Sequence, residues 1–272
     1  MPNWVTNRIK FSNKEAFDRF KTEYVKTVEE SNGKTFETFD FNLLIPMPKS
    51  LDVEESSIVD QGIDIVLLQM RRDNVPGTLE VRHKVWGNRK KNNPFGFVFG
   101  LYTKTDEEID EEARKFKEAG RLDEVLGKGK QAIQNILDHG AKSWYDWSYE
   151  NWGTKWNACR YRDVPDELEV WFETAWGTPE PVIAKLIALM GPDAFEAIEY
   201  ADEDIGCNCG RYYLGDGGPS FPMPYDKQSD EAMECAIRLN NAYEYYELVD
   251  GHWVYKEEEE EEEPEDQVHA SA

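Results

Sequence analysis

Cysteine and histidine are sparse, with four of each in 272 residues. Cys159, Cys207, Cys209 and Cys235 are too thin a set for the disulfide framework that replaces a large core in small secreted domains. Basic residues are also short. The 31 Lys and Arg face 55 Asp and Glu, a formal charge of -24, which disfavours wholesale capture of a phosphate backbone by counterion release. No apolar run approaches the ~18 to 20 residues that cross a bilayer. Met1-Pro2-Asn3-Trp4 lacks the basic start and apolar stretch of a secretory leader. A cytoplasmic protein with no membrane partner is expected. A serine elbow, a paired-histidine metal motif, a Walker loop and a dinucleotide fingerprint are all missing. His83, His139, His252 and His269 are scattered, so no catalytic residue, metal or cofactor is expected, and an interaction protein outranks an enzyme.

What is present suffices for a core: 40% hydrophobic and 13% aromatic residues, in a length that fits one large or two modest domains. From Trp4 to Phe11 the period is near two, with Val5, Ile9 and Phe11 on one side, which predicts a half-buried strand. Ser12-Asn13 then cap a helix whose Phe17, Phe20, Tyr24 and Val28 share a face to about Glu30. An aromatic and β-branched run from Phe36 to Ile45 predicts a second strand ended by Pro46 and Pro48.

The middle is expected to be mostly helical. A helix fits Ser57 to Arg72, a hairpin around Gly87 to Pro94 fits Thr78 to Tyr102, and Thr105 with Glu108 forms a capping box for a helix stopped by Gly120. Leu122 to His139 reads as a helix pair broken at Gly127 and Gly129. Strand signals return at Trp156–Arg162, Leu168–Trp176, Phe195–Tyr200 and Cys207–Leu214. Helices fit Val182–Met190 and Glu231–Tyr243.

This succession of strand, helix and strand with antiparallel neighbours is the half-unit of an α+β, ferredoxin-like sheet packed with helices. The expected division is an N-terminal α+β region with a helical insert over 1–140, a ferredoxin-like region over 141–256, and an acidic tail over 257–272. Seven consecutive glutamates, Glu257 to Glu263, repel one another with nothing apolar to bury, so disorder is expected there. The tail holds nine acids and no Lys or Arg, so residues 1–256 keep -15 of the charge.

Two clusters are candidate binding sites. Seven aromatics crowd between Trp144 and Tyr161. They form either a satellite core where insert and sandwich meet, or an exposed surface anchored by Trp144, Trp147, Trp152 and Trp156. Between Arg71 and Lys91 the charge reverses to +5, and Arg82, Lys84, Arg89, Lys90 and Lys91 make up a basic patch that either grips a phosphate or merely solubilises a hairpin tip. Cys207-Asn208-Cys209 has the wrong spacing for a zinc knuckle and reads as buried thiols.

Four stretches carry a family resemblance: Pro2-Asn3-Trp4-Val5-Thr6-Asn7; Asn42 to Pro48, ending Ile45-Pro46-Met47-Pro48; Asn151-Trp152-Gly153-Thr154-Lys155-Trp156-Asn157-Ala158; and Phe172 to Pro179. Together they resemble the YubB-like family of bacteriophages and conjugative plasmids, over about residues 1–225. The resemblance implies a ferredoxin-like C-terminal part and a mobile-element accessory role in a bacterial cytoplasm. It implies no catalytic residues.

Charge and resemblance lead to a non-catalytic protein that binds a host protein, basic or nucleic-acid-binding, through an acidic surface with aromatic anchors. Counter-defence by nucleic-acid mimicry is one concrete form. Direct nucleic-acid binding is the competing reading, with bases stacked on the exposed sheet face by Phe95, Phe97, Trp171 and Trp176; the net charge opposes it.

Overall fold

The first strand, β1 (Trp4–Phe11), alternates half-buried and buried residues along its whole length, as the period of two requires. Asn13 accepts a hydrogen bond from the Ala16 amide and starts α1 (Lys14–Tyr24). The computed structural model describes residues 3–29, 33–92, 104–215 and 220–256. After α1 come β2 (Val25–Glu29) and β3 (Thr35–Phe39), an antiparallel pair. Among the described residues the helices α2 (Ser57–Arg72), α3 (Thr78–Asn92), α4 (Asp106–Glu118) and α5 (Leu122–His139) follow. The chain returns through α6 (Trp144–Trp152), β4 (Cys159–Val164), β5 (Glu169–Ala175), α7 (Glu180–Met190) and β6 (Phe195–Asp202). It closes with β7 (Cys209–Tyr212), β8 (Pro222–Pro224), α8 (Asp230–Leu239) and the hairpin of β9 (Tyr246–Val249) and β10 (His252–Tyr255).

The main sheet is antiparallel, in the order β4-β5-β1-β6-β7-β8. Taken in chain order, β1, α1, β4, β5, α7 and β6 form the β-α-β-β-α-β arrangement of a ferredoxin-like fold. Everything from Val25 to Ala158 is inserted between its first helix and its second strand. The central strand and first helix of the sandwich therefore come from the chain's start. On one face Val5, Ile9 and Phe11 meet Phe17 and Phe20 of α1 and Val182, Ile183 and Leu186 of α7. On the other, α8 covers the β6–β7 half through Ala232, Cys235 and Ala236 against Ala201 and Cys209. The β4–β5–β1 part of that face keeps its contact with solvent at Arg160, Arg162 and Trp176.

Several expectations are corrected. Helix α1 stops at Tyr24, and Val28 belongs to β2, where β-branched Val25, Thr27 and Val28 pair with β3. The second strand ends at Phe39, because the Asp40 side chain accepts from the Asn42 amide and starts a single helical turn over Phe41–Leu43. Thr78–Asn92 is a helix, not a hairpin arm. Its Val81, Val85, Asn88 and Arg89 recur at three and four residues and face the insert. Phe95 and Phe97 lie outside the described residues, as does the tail.

Leu122–His139 is one continuous helix. Its Gly129 is a contact residue: a Cβ there would lie 2.3 Å from the Gly62 carbonyl carbon, and one on Gly62 would lie 2.4 Å from the Val125 carbonyl oxygen. Two glycines let α2 and α5 touch backbone to backbone, beside a core of Val59, Ile63, Val66, Ala132, Ile133 and Ile136. Gly127, two residues away, faces open space. Gly129→Ala should destabilise the protein by ~1 to 3 kcal/mol through overpacking. Gly127→Ala should be neutral or stabilise by up to ~1 kcal/mol, because it only removes backbone freedom within a helix. Urea denaturation of both variants checks this pair; equal effects would refute the close approach.

Candidate functional site

The aromatic cluster divides. On α6, Trp147 and Trp152 turn inward, are 7% and 5% exposed, and pack edge-to-face at 5.5 Å. The Trp152 indole donates to the Ile45 carbonyl at 2.9 Å and meets the Phe41 ring, so its polar edge and its ring both find partners inside. Neither ring is a surface anchor. Trp144 and Trp156 stay partly exposed, and Trp156 joins a different set of rings.

The basic patch is helical and largely neutralised. Arg89 is buried and donates to Asp64 at 2.7 Å and to the Asp60 carbonyl at 3.1 Å, which makes it an internal brace of the insert. Lys84 pairs with Glu80 at 3.2 Å and Lys91 with Glu150 at 2.5 Å. Arg82 lies 5.5 Å from the Trp86 ring centroid, and Lys90 is exposed. Arg71 and Arg72 upstream are held by Asp106 and Asp110. Five of the seven bases of the linear run, Arg71, Arg72, Lys84, Arg89 and Lys91, are thus paired with acids of α2, α3, α4 and α6.

Rings and cations meet instead on the open part of the sheet. Arg8 and Trp171 face each other across β1 and β5, and Arg162 of β4 pairs in register with Trp171. Both guanidiniums lie over the Trp171 indole, at 5.7 Å for Arg8 and 4.4 Å for Arg162. About 13 Å along β1, at the usual strand rise, Arg160 sits 4.8 Å over Trp4, which contacts Trp156 at 6.0 Å. Lys155 lies among three rings, 4.6 Å from Trp156 and 5.1 Å from both Tyr145 and Trp176. Trp176 is 44% exposed and stacks on Tyr149. Among the described residues neither Lys155 nor Arg162 has a carboxylate partner, whereas Arg160 pairs with Glu173 and Arg8 with Glu169 and Glu199.

Burial raises the Glu199 carboxyl, yet Arg238 and Arg8 together hold it below the usual carboxylate range. The acids of this face are committed to internal pairs, Glu169 and Glu199 with Arg8, Glu199 with Arg238 and Glu173 with Arg160, and four cations stand near the rings.

The four sequence stretches that carry the resemblance meet at one end of the sheet, on its buried side. Asn7 of the first accepts from Thr178 of the last at 2.9 Å, Thr154 donates to the Ala175 carbonyl, and the indole of Trp152 reaches Ile45. Gly153 has a left-handed φ of 77°, and a Cβ there would strike Pro181 at 2.9 Å. The sequence already pointed to Trp171 and Trp176. Trp4, Arg160 and Arg162 were not legible because their partners lie in other elements, and Lys155, though next to Trp156 in the chain, gains Tyr145 and Trp176 only through the fold.

A second cluster lies between the insert and the sandwich. Lys142 bonds Glu55 at 2.7 Å and Asp60 at 3.1 Å, and one carboxylate oxygen of Asp146 is buried without a hydrogen bond. Burial, reinforced by Glu55, Glu150 and Asp60 and opposed by Lys142, pushes the Asp146 carboxyl up to about 6. Among the described residues no group of three or more His, Cys, Asp or Glu is placed to hold a metal ion; Cys209 is buried against α8 and donates to the Ala232 carbonyl.

The family model described as a ferredoxin-like domain in Api92-like protein matches residues 151–237. That span holds β4, β5, α7, β6, β7, β8 and most of α8, and leaves out β1 and α1, which complete the sheet. The curated proteins and the solved structures give no match.

Two outcomes follow from this geometry. Trp152→Ala should cost ~3 to 5 kcal/mol of stability, and Trp156→Ala about 1 to 2 kcal/mol, measured by denaturant melts. Because Asp146 keeps its proton in the folded chain up to about pH 6 but loses it near pH 4 when unfolded, stability should fall as pH rises through that window. Asp146→Asn should therefore raise stability at pH 7 by up to ~3 kcal/mol and by much less at pH 4.5. An equal gain at both pH values would show that the carboxyl is not held protonated.

Proposed function

We propose that the protein is a non-catalytic binding module that holds single-stranded nucleic acid on the open face of its ferredoxin-like sheet. One observation carries this reading: half-buried indoles on β1 and β5 are each flanked by arginine at the open edge of the face, and Lys155 stands among three rings with no carboxylate partner among the described residues. Stacking platforms beside cations are what a flexible strand of bases and phosphates needs, whatever its sequence. The sign of the local charge selects the ligand. A basic partner would be repelled from this face and drawn to the acidic remainder of the molecule.

On the same reading the protein serves a phage or conjugative plasmid in a bacterial cytoplasm, a setting supported by its resemblance to YubB-like proteins. The -15 carried by residues 1–256 favours a second reading, in which a basic or nucleic-acid-binding host protein docks on that acidic remainder as a form of counter-defence.

Fluorescence anisotropy with short single-stranded RNA and DNA at ~50 mM salt tests the first reading. Three phosphate contacts predict a log-log salt slope of about -2. Trp171→Ala should weaken binding by ~5-fold or more, since stacking is worth ~1 to 3 kcal/mol per base. Arg162→Gln should weaken it less and flatten the salt slope. Absence of binding by the parent at ~100 µM protein would refute the reading, because even non-specific binding reaches that range. A host-protein complex that survives Trp171→Ala would favour the second.

A further inference from the structure

We infer that the acidic C-terminal segment, residues 257–272, occupies the same open sheet face in cis and competes there with nucleic acid. This rests on the proposed function for the identity of the competing ligand; the contact itself rests on where the chain leaves the fold. At the end of α8, Asn240 accepts from Thr6 at 2.9 Å and donates to the Asp202 carbonyl at 2.9 Å. Thr6 lies on β1 midway between Trp4 and Arg8, on the same side of the strand. Asn240 therefore marks the border between the half of the face covered by α8 and the open half.

Three residues further on, at most ~10 Å of chain, the Tyr243 carbonyl accepts from the Lys256 ammonium at 2.9 Å. The Lys256 amide also donates to the Tyr245 carbonyl at 2.9 Å. Lys256, the last described residue, is thus tied within ~20 Å of the contact between Asn240 and Thr6. Sixteen residues span up to ~50 Å when extended, several times the ~13 Å between Trp4 and Arg8. Seven consecutive glutamates bring a polyanion to Arg162 and Lys155, which have no carboxylate partner among the described residues. Tethering sets the local concentration of that polyanion near the millimolar range, so a loose, salt-screened association suffices to compete.

The full-length chain carrying Glu257→Gln through Glu263→Gln keeps the tail's length and removes most of its charge. Compared with the parent and without any nucleic acid, it should shift the indole N–H resonances of Trp4, Trp156, Trp171 and Trp176 at low salt. Those of Trp147 and Trp152 should stay in place. The difference should vanish at ~0.5 M salt, where screening shortens to a few ångströms. Single-stranded RNA should bind the glutamine variant ~5- to 10-fold more tightly than the parent at low salt, and Lys155→Gln with Arg162→Gln should abolish that gain.

Unchanged indole resonances would overturn the contact, whether or not nucleic acid binds. Shifts that scale with protein concentration would assign the tail to a second copy and overturn its action in cis. Shifted resonances with equal RNA affinity would overturn the competition while leaving the nucleic-acid reading intact. Shifted resonances with no RNA binding by either protein would overturn that reading and the competition while sustaining the contact.

Discussion

Asn7 lies fully buried in the middle of the central strand, and an amide there must satisfy donors and acceptor alike or cost the fold ~1 to 3 kcal/mol for each lost partner. It donates to the Val5 carbonyl and to the Thr174 hydroxyl and accepts from Thr178, each at 2.9 Å, while Thr178 also meets the Tyr212 hydroxyl. Thr174 in turn donates to the Gly177 carbonyl. This clasp ties β1 to β5, to the turn before α7 and, through Tyr212, to β7. The backbone extends the tie, since the Trp176 amide donates to the Asn3 carbonyl and the Glu203 amide to the Trp4 carbonyl. The sheet's middle is thus fixed by residues from opposite ends of the chain.

That constraint also creates the site. With Asn7 facing inward, the period of two sends Trp4, Thr6, Arg8 and Lys10 to the other face, where β5 supplies Trp171 and Glu173 opposite them. Loss of β1 from its slot would scatter the rings and their cations, because Trp4 and Arg8 lie on β1 whereas Arg160, Arg162 and Trp171 lie on β4 and β5. A chain of strongly negative charge can still present a cation-rich face because its carboxylates are placed unevenly. Glu169 and Glu199 are drawn beneath Arg8 and Arg238, the acids of α4 and α6 answer the arginines and lysines of α2 and α3, and seven glutamates follow the last strand. Charge summed over a sequence describes solubility and long-range steering; what a surface binds depends on which charges are already paired.

Local rules were legible wherever neighbours in sequence are neighbours in space. The alternation of β1, the Asn13 cap, the Thr105–Glu108 box with both its hydrogen bonds, and the stop at Gly191 could all be read from a few adjacent residues. The ferredoxin-like class was legible too, because it follows from the order of elements. Where the strands pair was not: nothing near Trp4 reveals that its partners on either side lie beyond residue 168.

The tryptophans, glycines and basic run show the same limit from the side of the site. A dense aromatic stretch states that large rings must find cover or a partner, but only the approach of Ile45 and Phe41 turned Trp152 inward and left Trp156 beside Lys155. Gly129 has the composition of a helix break, yet the crossing of α2 made it a contact. Arg89 belongs to a run of bases in the sequence and became an internal brace once Asp60 and Asp64 folded around it. The sequence by itself determined periodicity, caps, total charge and the order of elements, which depend on residues a turn or two apart. Tertiary structure alone decided which rings are exposed and which cations are unspent, since both are settled by groups tens to hundreds of residues away.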